Sequence, residues 1–468
     1  MKIVMVIGCG ISQVPTLCAI KDLGYVSLGI DGSDKACGIK DADIFEQCDI
    51  KDLNKILKIA KKYKINGIVV PGTDFPETAA YVSEKMRLPG IPLSVAQLCT
   101  NKYEQKKFLK DKGFLVPEIT YMDKYNYTWG ISSEMKFPLV IKPIDNMAAR
   151  GTIKVNNRSE LQNAYSKALQ FSRSKKIVAE AFEEGMELSV DSLVWGDSVL
   201  VFAVADRHFA LNPFFIEVGH TNPSILDEDT QREVRKVFIK AVKELGITHG
   251  SAKGDLKITD RGVMILEIAA RISGGFLSAQ TVPFATGYKP HEDLVRITLG
   301  EEPLWNYTLE PKMFSAERVF LSIPGRVEYI HSVHINPYRH MHVKKGDLVY
   351  FPSNNAQRCG SVISRSFSRS KAIEDAKNEI KLSLIRLEPR NNITENFLND
   401  DDEYYNFKMF ETIKKENDWH DCDMEEALSR VTKYTDYSIK DLFNDKKFWK
   451  YFYKGGVQGG VYYIDSYK

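Results

Sequence analysis

The sequence predicts an α/β protein with a smaller α+β insert, and three stretches carry that expectation. Short apolar strands alternate with helices through roughly the first 100 residues. A compact strand, loop, strand, helix, strand module follows Phe137. Residues 253–275, KGDLKITDRGVMILEIAARISGG, read at a period of two as an antiparallel hairpin.

In chain order, Ile3 to Ile7 is a short buried strand that enters the turn Gly8-Cys9-Gly10-Ile11-Ser12-Gln13. A helix to Leu23 follows, then a strand from Val26 to Ile30 with Asp31 at its end. The turn is a degenerate dinucleotide fingerprint, because Gln13 stands at the third glycine position. It reads either as the site of a Rossmann-type dehydrogenase or as a glycine turn that serves packing alone. A strand from Gly67 to Val70 runs into Pro71-Gly72-Thr73-Asp74-Phe75-Pro76-Glu77, at the strand end where open α/β sheets place ligands. Asn101-Lys102-Tyr103-Glu104 opens a helix with a capping box, and Gly113 stops it before Val116-Pro117. Lys102 thereby falls in the first turn, a poor place for a cation on helix-dipole grounds, and reads either as a solvated lysine or as the partner of a ligand phosphate.

In the module after Phe137, Lys142 closes an apolar strand just ahead of Pro143-Ile144-Asp145-Asn146-Met147-Ala148-Ala149-Arg150-Gly151. Its ammonium is placed to meet a phosphate held by backbone amides. A strand from Thr152 to Val155, a helix from Ser159 to about Ser172 and a strand from Ile177 to Glu180 complete the module.

In the first arm of the hairpin Ala252, Gly254, Leu256 and Ile258 face one way and Lys253, Asp255 and Lys257 the other. In the second arm Val263, Ile265, Glu267, Ala269 and Arg271 share a face. A three-residue loop, Asp260-Arg261-Gly262, puts Asp255 opposite Glu267, whereas a two-residue loop puts them on opposite faces. Like charges paired about 5 Å apart are unfavourable unless a cation lies between them. The expectation is a Mg²⁺ site, and the alternative is an exposed hairpin with ordinary surface charges.

Composition bounds the rest. A chain of 468 residues should form two to four domains, and 64 Lys plus Arg against 62 Asp plus Glu leaves no charge footprint for nucleic acid. Seven cysteines, without a CxxC, argue against a disulfide framework or zinc site and favour a reducing cytoplasm. MKIVMVIGCGI is too soon interrupted by glycine for a secretion signal, and no apolar run approaches the roughly 20 residues of a membrane span.

Lys102, Lys142, Glu180-Ala181-Phe182-Glu183-Glu184-Gly185-Met186-Glu187, Asp255 and the run Glu267 to Arg271 resemble, in order and spacing, the ATP-grasp superfamily. The likeness is closest to enzymes related to biotin carboxylase, the carbamoyl-phosphate synthetase large subunit and L-amino acid ligases, and covers about residues 1 to 385. It implies a Rossmann-like domain at 1–98, a linker helix at 99–116, a lid at 117–185, a central antiparallel-sheet domain with the metal site at 186–310 and a C-terminal subdomain at 311–388. Residues 389–468 remain as a helical, aromatic extension.

By resemblance, Lys102 and Lys142 bind phosphate, and Arg150 adds a positive charge in a lid loop poorer in glycine than is usual in the family. Glu180 faces the adenine amino group, the Ala181 carbonyl and Glu183 amide lie on the adenine edge, Phe182 packs against the ring, and Glu187 holds the ribose hydroxyls. Asp255 and Glu267 hold Mg²⁺, or Mn²⁺ in its place. Arg271 steadies an acyl phosphate, with Ser273, Gly274 and Gly275 beside it for the substrate carboxylate. Glu217 and His220, in Glu217-Val218-Gly219-His220, are candidates for the acceptor pocket. Ala269 departs from the family, standing where many members have an asparagine that completes a second metal shell, and Asp255 replaces a commoner glutamate. The implied activity is an ATP-dependent carboxylate–amine ligase releasing ADP and phosphate, with small-molecule substrates, no nucleic-acid or membrane partner, and room for a homodimer. A phosphotransferase and a non-catalytic nucleotide-binding protein are the alternatives.

Past the likeness, Asn399-Asp400-Asp401-Asp402-Glu403 is a solvated acidic run and a plausible boundary. Two helical stretches then lead to KFWKYFYKGGVQGGVYY at 447–463, too aromatic to stay exposed.

Overall fold

The computed structural model describes residues 1–73, 75–122, 135–211, 213–305, 309–332, 336–400 and 424–468. Asp74 of the 71–77 loop and the acidic residues Asp401 to Glu403 lie outside them. The chain divides into two compact units, the first comprising residues 1–147, 155–207 and 221–315, and the second 148–154, 208–220 and 316–468.

The first unit begins with β1 (Ile3–Ile7), β2 (Val26–Asp31), β3 (Ile44–Gln47) and β4 (Gly67–Val69), parallel and ordered β3-β2-β1-β4. Both faces are buried, as a parallel sheet requires. Leu17 and Ile20 of α1 (Val14–Asp22) pack with Val4 and Val6, while Ile56 and Ile59 of α2 (Leu53–Tyr63) pack with Met5, Ile7, Leu28 and Ile30. The Gly8–Gln13 turn is held by a bond of its own and by bonds to neighbouring segments. Gly10 N donates to Gln13 Oε1 at 2.9 Å, the Gln13 amide donates to the Pro71 carbonyl, and Cys9 N donates to Asp31 Oδ2 at 2.8 Å. The Cys9 and Gly10 amides are thus engaged by other protein groups.

Two further helices, α3 (Pro76–Met86) and α4 (Leu93–Thr100), lead to α5 (Lys102–Asp111). There Asn101 Oδ1 accepts from Tyr103 N and Glu104 N at 3.1 and 3.2 Å, and Gly113, at φ +80°, turns the chain away. The next strands are β5 (Ile119–Met122), β6 (Leu139–Pro143), β7 (Ile153–Val155) and β8 (Ile177–Ala181), with α6 (Leu161–Phe171) between the last two. Both β5 and β6 pair antiparallel with β8.

The central sheet follows from β9 (Met186–Trp195), β10 (Ser198–Ala210), β11 (Ile216–Asn222), α7 (Glu228–Leu245), β12 (His249–Thr259) and β13 (Gly262–Ala269). β9 pairs antiparallel with β10 and β12, and β12 with β13. The apolar stripe of α7, Val234, Phe238, Ala241, Val242 and Leu245, covers one face through Ala252, Leu256, Ile265 and Ile268. The charged residues of the hairpin therefore share the other face.

The hairpin corrects one expectation. Thr259 pairs with Gly262, so the loop holds two residues, Asp260 and Arg261, and not three. Asp255 still pairs with Glu267, because the register shifts between Asp255 and Leu256 and Leu256 pairs with Ile265. Leu266 is the extra residue of a β-bulge, which sends Ile265 to the core and Glu267 to the opposite face. The expected single face from Val263 to Arg271 is broken at that point.

In the second unit, strands Gly325–Ser332, Leu348–Val349 and Ser383–Leu387 form one sheet, and Arg339–Met341 pairs with Gly360–Ser366. Helix Asn392–Asn399 precedes the acidic run, and Met424–Thr435 follows it. The aromatic tail is ordered as helix Lys446–Tyr467, which bends back at Gly456 (φ +59°, ψ −149°). A Cβ on Gly459 would lie 2.2 Å from the Tyr451 carbonyl, so the two arms cross there only without a side chain. Tyr451 thereby stacks against Tyr462 at 6.4 Å and meets Tyr463 at 5.7 Å. Among the described residues no helix is long and apolar enough to cross a membrane, and Cys9, Cys18, Cys37, Cys48, Cys99 and Cys359 carry free thiols.

Candidate active site

In the first unit most of the predicted charged residues form ion pairs, some with the hairpin's charged residues and one between β6 and β8. Lys102, in the first turn of α5, donates from Nζ to Glu267 Oε1 and to the Asn146 carbonyl, both at 2.9 Å. Its position against the helix dipole is therefore balanced by a carboxylate from β13. Lys142, at the end of β6, lies 2.9 Å from Glu180 on β8. Glu187 on β9 and Asp255 on β12 share Arg207, at 3.6 and 3.0 Å, while Lys257 holds Glu187 at 3.0 Å and Lys253 holds Asp255.

Sequence reasoning did not pick out Lys106, Arg207 or Lys257 as site residues. Lys106 lies one turn beyond Lys102 on the same face of α5, a spacing that could have flagged it. It is fully buried and 2.6 Å from Glu180 Oε2, an ion pair in place of an aligned hydrogen bond, and its Nζ also donates to the Leu266 carbonyl at 2.6 Å. Burial pushes the Glu180 carboxyl up, but Lys106 and Lys142 outweigh it and hold the group below its ordinary range. Burial pulls the Lys106 ammonium down to about 8. Arg207 and Lys257 come from strands whose polar positions look like ordinary surface charge in one dimension. Lys257 Nζ sits 5.0 Å over the Phe182 ring and donates to the Glu183 carbonyl at 2.7 Å. Glu183 Oε1 accepts from Arg261 at 2.6 Å, Ala181 N donates to Glu118 O at 2.9 Å and Phe182 N to Pro138 O at 3.1 Å.

Asp255 and Glu267 are half-buried and directly opposite each other in the hairpin. Among the described residues no three His, Cys, Asp or Glu side chains converge to cage a metal. Two hard oxygen donors suit Mg²⁺, which binds through one or two carboxylates and completes its shell with water and phosphate oxygens. Arg271, just past β13, is half-buried and donates from Nη1 to the Ile272 carbonyl at 3.2 Å. In the turn beside it Gly275 N donates to Ser12 Oγ at 3.3 Å, and Ser273 O accepts from Ser278 Oγ at 3.3 Å. His291 links Ser278 (3.2 Å) to Thr16 (2.8 Å), and burial pulls its imidazole down to about 4, so it holds the turn as a neutral ring.

Arg150, Glu217 and His220 belong to the second unit. Arg150 sits in a tight turn with Ala148, Ala149 and Gly151 at φ +57°, +56° and +74°, and Ala148 O accepts from Asn355 N at 2.9 Å. His220 is buried between Glu217 at 2.7 Å and Glu317 at 3.3 Å, and the Arg318 and Arg358 guanidinium groups donate to the His220 and Glu217 carbonyls, each at 3.2 Å. Burial alone would lower the imidazole, but the two carboxylates prevail and raise it to about 9. A raised folded-state value contributes stability in full below the ordinary histidine range and loses it as pH rises through about 9. The urea midpoint should therefore fall between pH 7 and pH 10, and fall less in Glu317→Gln; equal pH slopes in the two proteins would contradict this.

Comparison with known proteins defines the class. Residues 99–275 match the family model described as an ATP-grasp domain, so the chain carries that domain, and the likeness read from Lys102 to Arg271 is shown. Its relatives include the carbamoyl phosphate synthase large chain of Pseudothermotoga lettingae, 24% identical over 287 residues that make up 59% of this chain and 25% of the relative. The D-alanine–D-alanine ligase of Cupriavidus necator is 24% identical over 211 residues, 43% of this chain and 63% of the relative. Each match thus spans less than two thirds of the relative's length. Among solved structures, an L-amino acid ligase from Bacillus licheniformis superposes with a TM-score of 0.71 at 19% identity, over 83% of this chain and 99% of its own. The fold is that of the ATP-grasp enzymes.

Proposed function

We propose that the protein is an ATP- and Mg²⁺-dependent carboxylate–amine ligase that activates a small carboxylate, with an amino acid as the default, as an acyl phosphate and passes it to an amine. The observation that carries this reading is the in-register pair Asp255 and Glu267 with Lys102 bonded to Glu267 and Lys142 to Glu180. These are the positions that the ATP-grasp likeness assigns to the nucleotide and its metal. A carboxylate is a poor electrophile, and transferring a phosphoryl group to it requires positioning and neutralisation of charge. Asp255 and Glu267 would hold Mg²⁺, which supplies positive charge at the phosphates when bound. Lys102 and Lys142 would bind phosphate oxygens, Glu180 would accept from the adenine amino group, Glu187 from the ribose hydroxyls, and Arg271 would steady the acyl phosphate during amine attack. Arg150 would add charge at the phosphates, and Glu217 with His220 would line the acceptor pocket. Domain limits at 98, 116, 185, 310 and 388, with residues 117–185 acting as a lid, belong to the same proposal, as does a cytoplasmic location.

The test is isotopic. One carboxylate oxygen leaves with the phosphate when the amine attacks, so a substrate labelled with ¹⁸O in its carboxylate should release labelled inorganic phosphate alongside ADP. AMP with pyrophosphate, a stable phosphorylated product without free phosphate, or no turnover across amino-acid pairs would each refute the ligase reading.

A further inference from the structure

We propose that Lys106 is a positioning residue of the nucleotide site, a fixed counter-charge that keeps the Glu180 carboxylate ionised and aimed, so that Glu180 selects a purine bearing an amino group and Lys142 stays available to phosphate. This rests on the nucleotide-site reading above. Glu180 meets two lysines, Lys106 at 2.6 Å and Lys142 at 2.9 Å, so the buried trio carries one positive charge more than its carboxylate needs. The two cations are not equivalent. The Lys106 side chain is 1% exposed and that of Lys142 12%.

Lys106 is also anchored at its tip and at its base. Its Nζ donates to the carbonyl of Leu266, the bulge residue that the β12–β13 ladder leaves out, and its neighbour Gln105 clamps Ile268, accepting from Ile268 N at 2.8 Å and donating to Ile268 O at 2.6 Å. The ammonium is therefore tied to the same hairpin that carries Glu267, while Lys142 lies at a strand end beside the 143–151 loop. Of the two lysines, Lys142 is the one able to change partner.

The chemistry of the carboxylate makes the counter-charge matter. A buried carboxylate without a cation takes up a proton, and a protonated carboxyl donates as well as accepts. It then loses the ability to tell a donor at the purine C6 position from an acceptor. An ionised Glu180 accepts only, which favours the amino group of adenine over the carbonyl of hypoxanthine. If Lys142 were the only counter-ion, its move to a phosphate would leave Glu180 unpaired. With Lys106 fixed, base recognition and phosphate binding become independent.

The experiment measures the dissociation constants of ADP and inosine diphosphate with Mg²⁺ by calorimetry, in the full-length protein. The wild type should prefer ADP by about tenfold or more, the loss expected when a buried acceptor meets another acceptor. Lys106→Met and Lys106→Gln should each reduce that ratio by about fivefold or more, the glutamine variant keeping a donor for the Leu266 carbonyl while removing the charge. Lys142→Met should weaken both nucleotides in parallel and leave their ratio within about twofold, because it acts on the phosphates. A wild-type ratio in Lys106→Gln overturns the proposal even if Lys106→Met fails to fold. A wild type that binds ADP but shows no base preference also overturns it while sparing the ligase reading, and a wild type that does not bind ADP overturns both.

Discussion

Glu267→Gln is expected to lower turnover by about a hundredfold or more, a loss of at least about 2.7 kcal/mol of transition-state stabilisation, with the fold retained. The amide keeps the size of the carboxylate and one oxygen, but it removes the negative charge that a hard divalent cation requires. The charge also holds Lys102, 2.9 Å away, so under the proposed assignment the variant would remove a metal ligand and release a phosphate lysine together. Asp255→Asn should be as damaging to turnover and more so to stability, because Arg207 at 3.0 Å and Lys253 both lose the charge they share. Steady-state kinetics across a Mg²⁺ titration decide the matter. Either variant retaining more than about a tenth of wild-type turnover would rule out the metal assignment.

Removal of residues 446–468 should leave a chain that aggregates or fails to fold. Phe448, Tyr451, Phe452 and Tyr462 are almost fully buried, and truncating a single core aromatic costs about 3–5 kcal/mol. A whole domain is stable by only about 5–15 kcal/mol, and losing four such side chains, about 12–20 kcal/mol, is comparable to or larger than that margin. The polar partners would be stranded as well. Glu395 accepts from the hydroxyls of Tyr451, Tyr462 at 3.1 Å and Tyr467 at 2.7 Å, and the Gln458 amide donates to Ser322 Oγ at 2.8 Å and Ile385 O at 2.7 Å while its oxygen accepts from Ile323 N at 2.9 Å. Sedimentation and thermal melting of the truncated chain provide the check, and a soluble monomer with an unchanged melting temperature would refute the expectation.

What the sequence determined by itself is local. The alternation of β1, α1 and β2, the Asn101 cap, the stop at Gly113 and the two-residue period of β12 depend on backbone preference and on which side chains avoid water, and both are written in short windows. The same information placed Lys102, Lys142, Glu180, Asp255 and Glu267 in an order that the ATP-grasp likeness could use. The facing of Asp255 and Glu267 was legible, but for a mistaken reason, since a loop of two residues and a bulge at Leu266 produce the pairing assigned to a loop of three. A bulge has no short sequence signature here, because its cost is offset elsewhere: the Leu266 carbonyl is taken by Lys106, 160 residues earlier in the chain. Lys106 on Glu180, Arg207 between Glu187 and Asp255, and Glu317 beside His220 were decided only by the tertiary structure. Each partner comes from a distant segment, and charges spaced along a chain do not say which of them will share a site from which water is excluded.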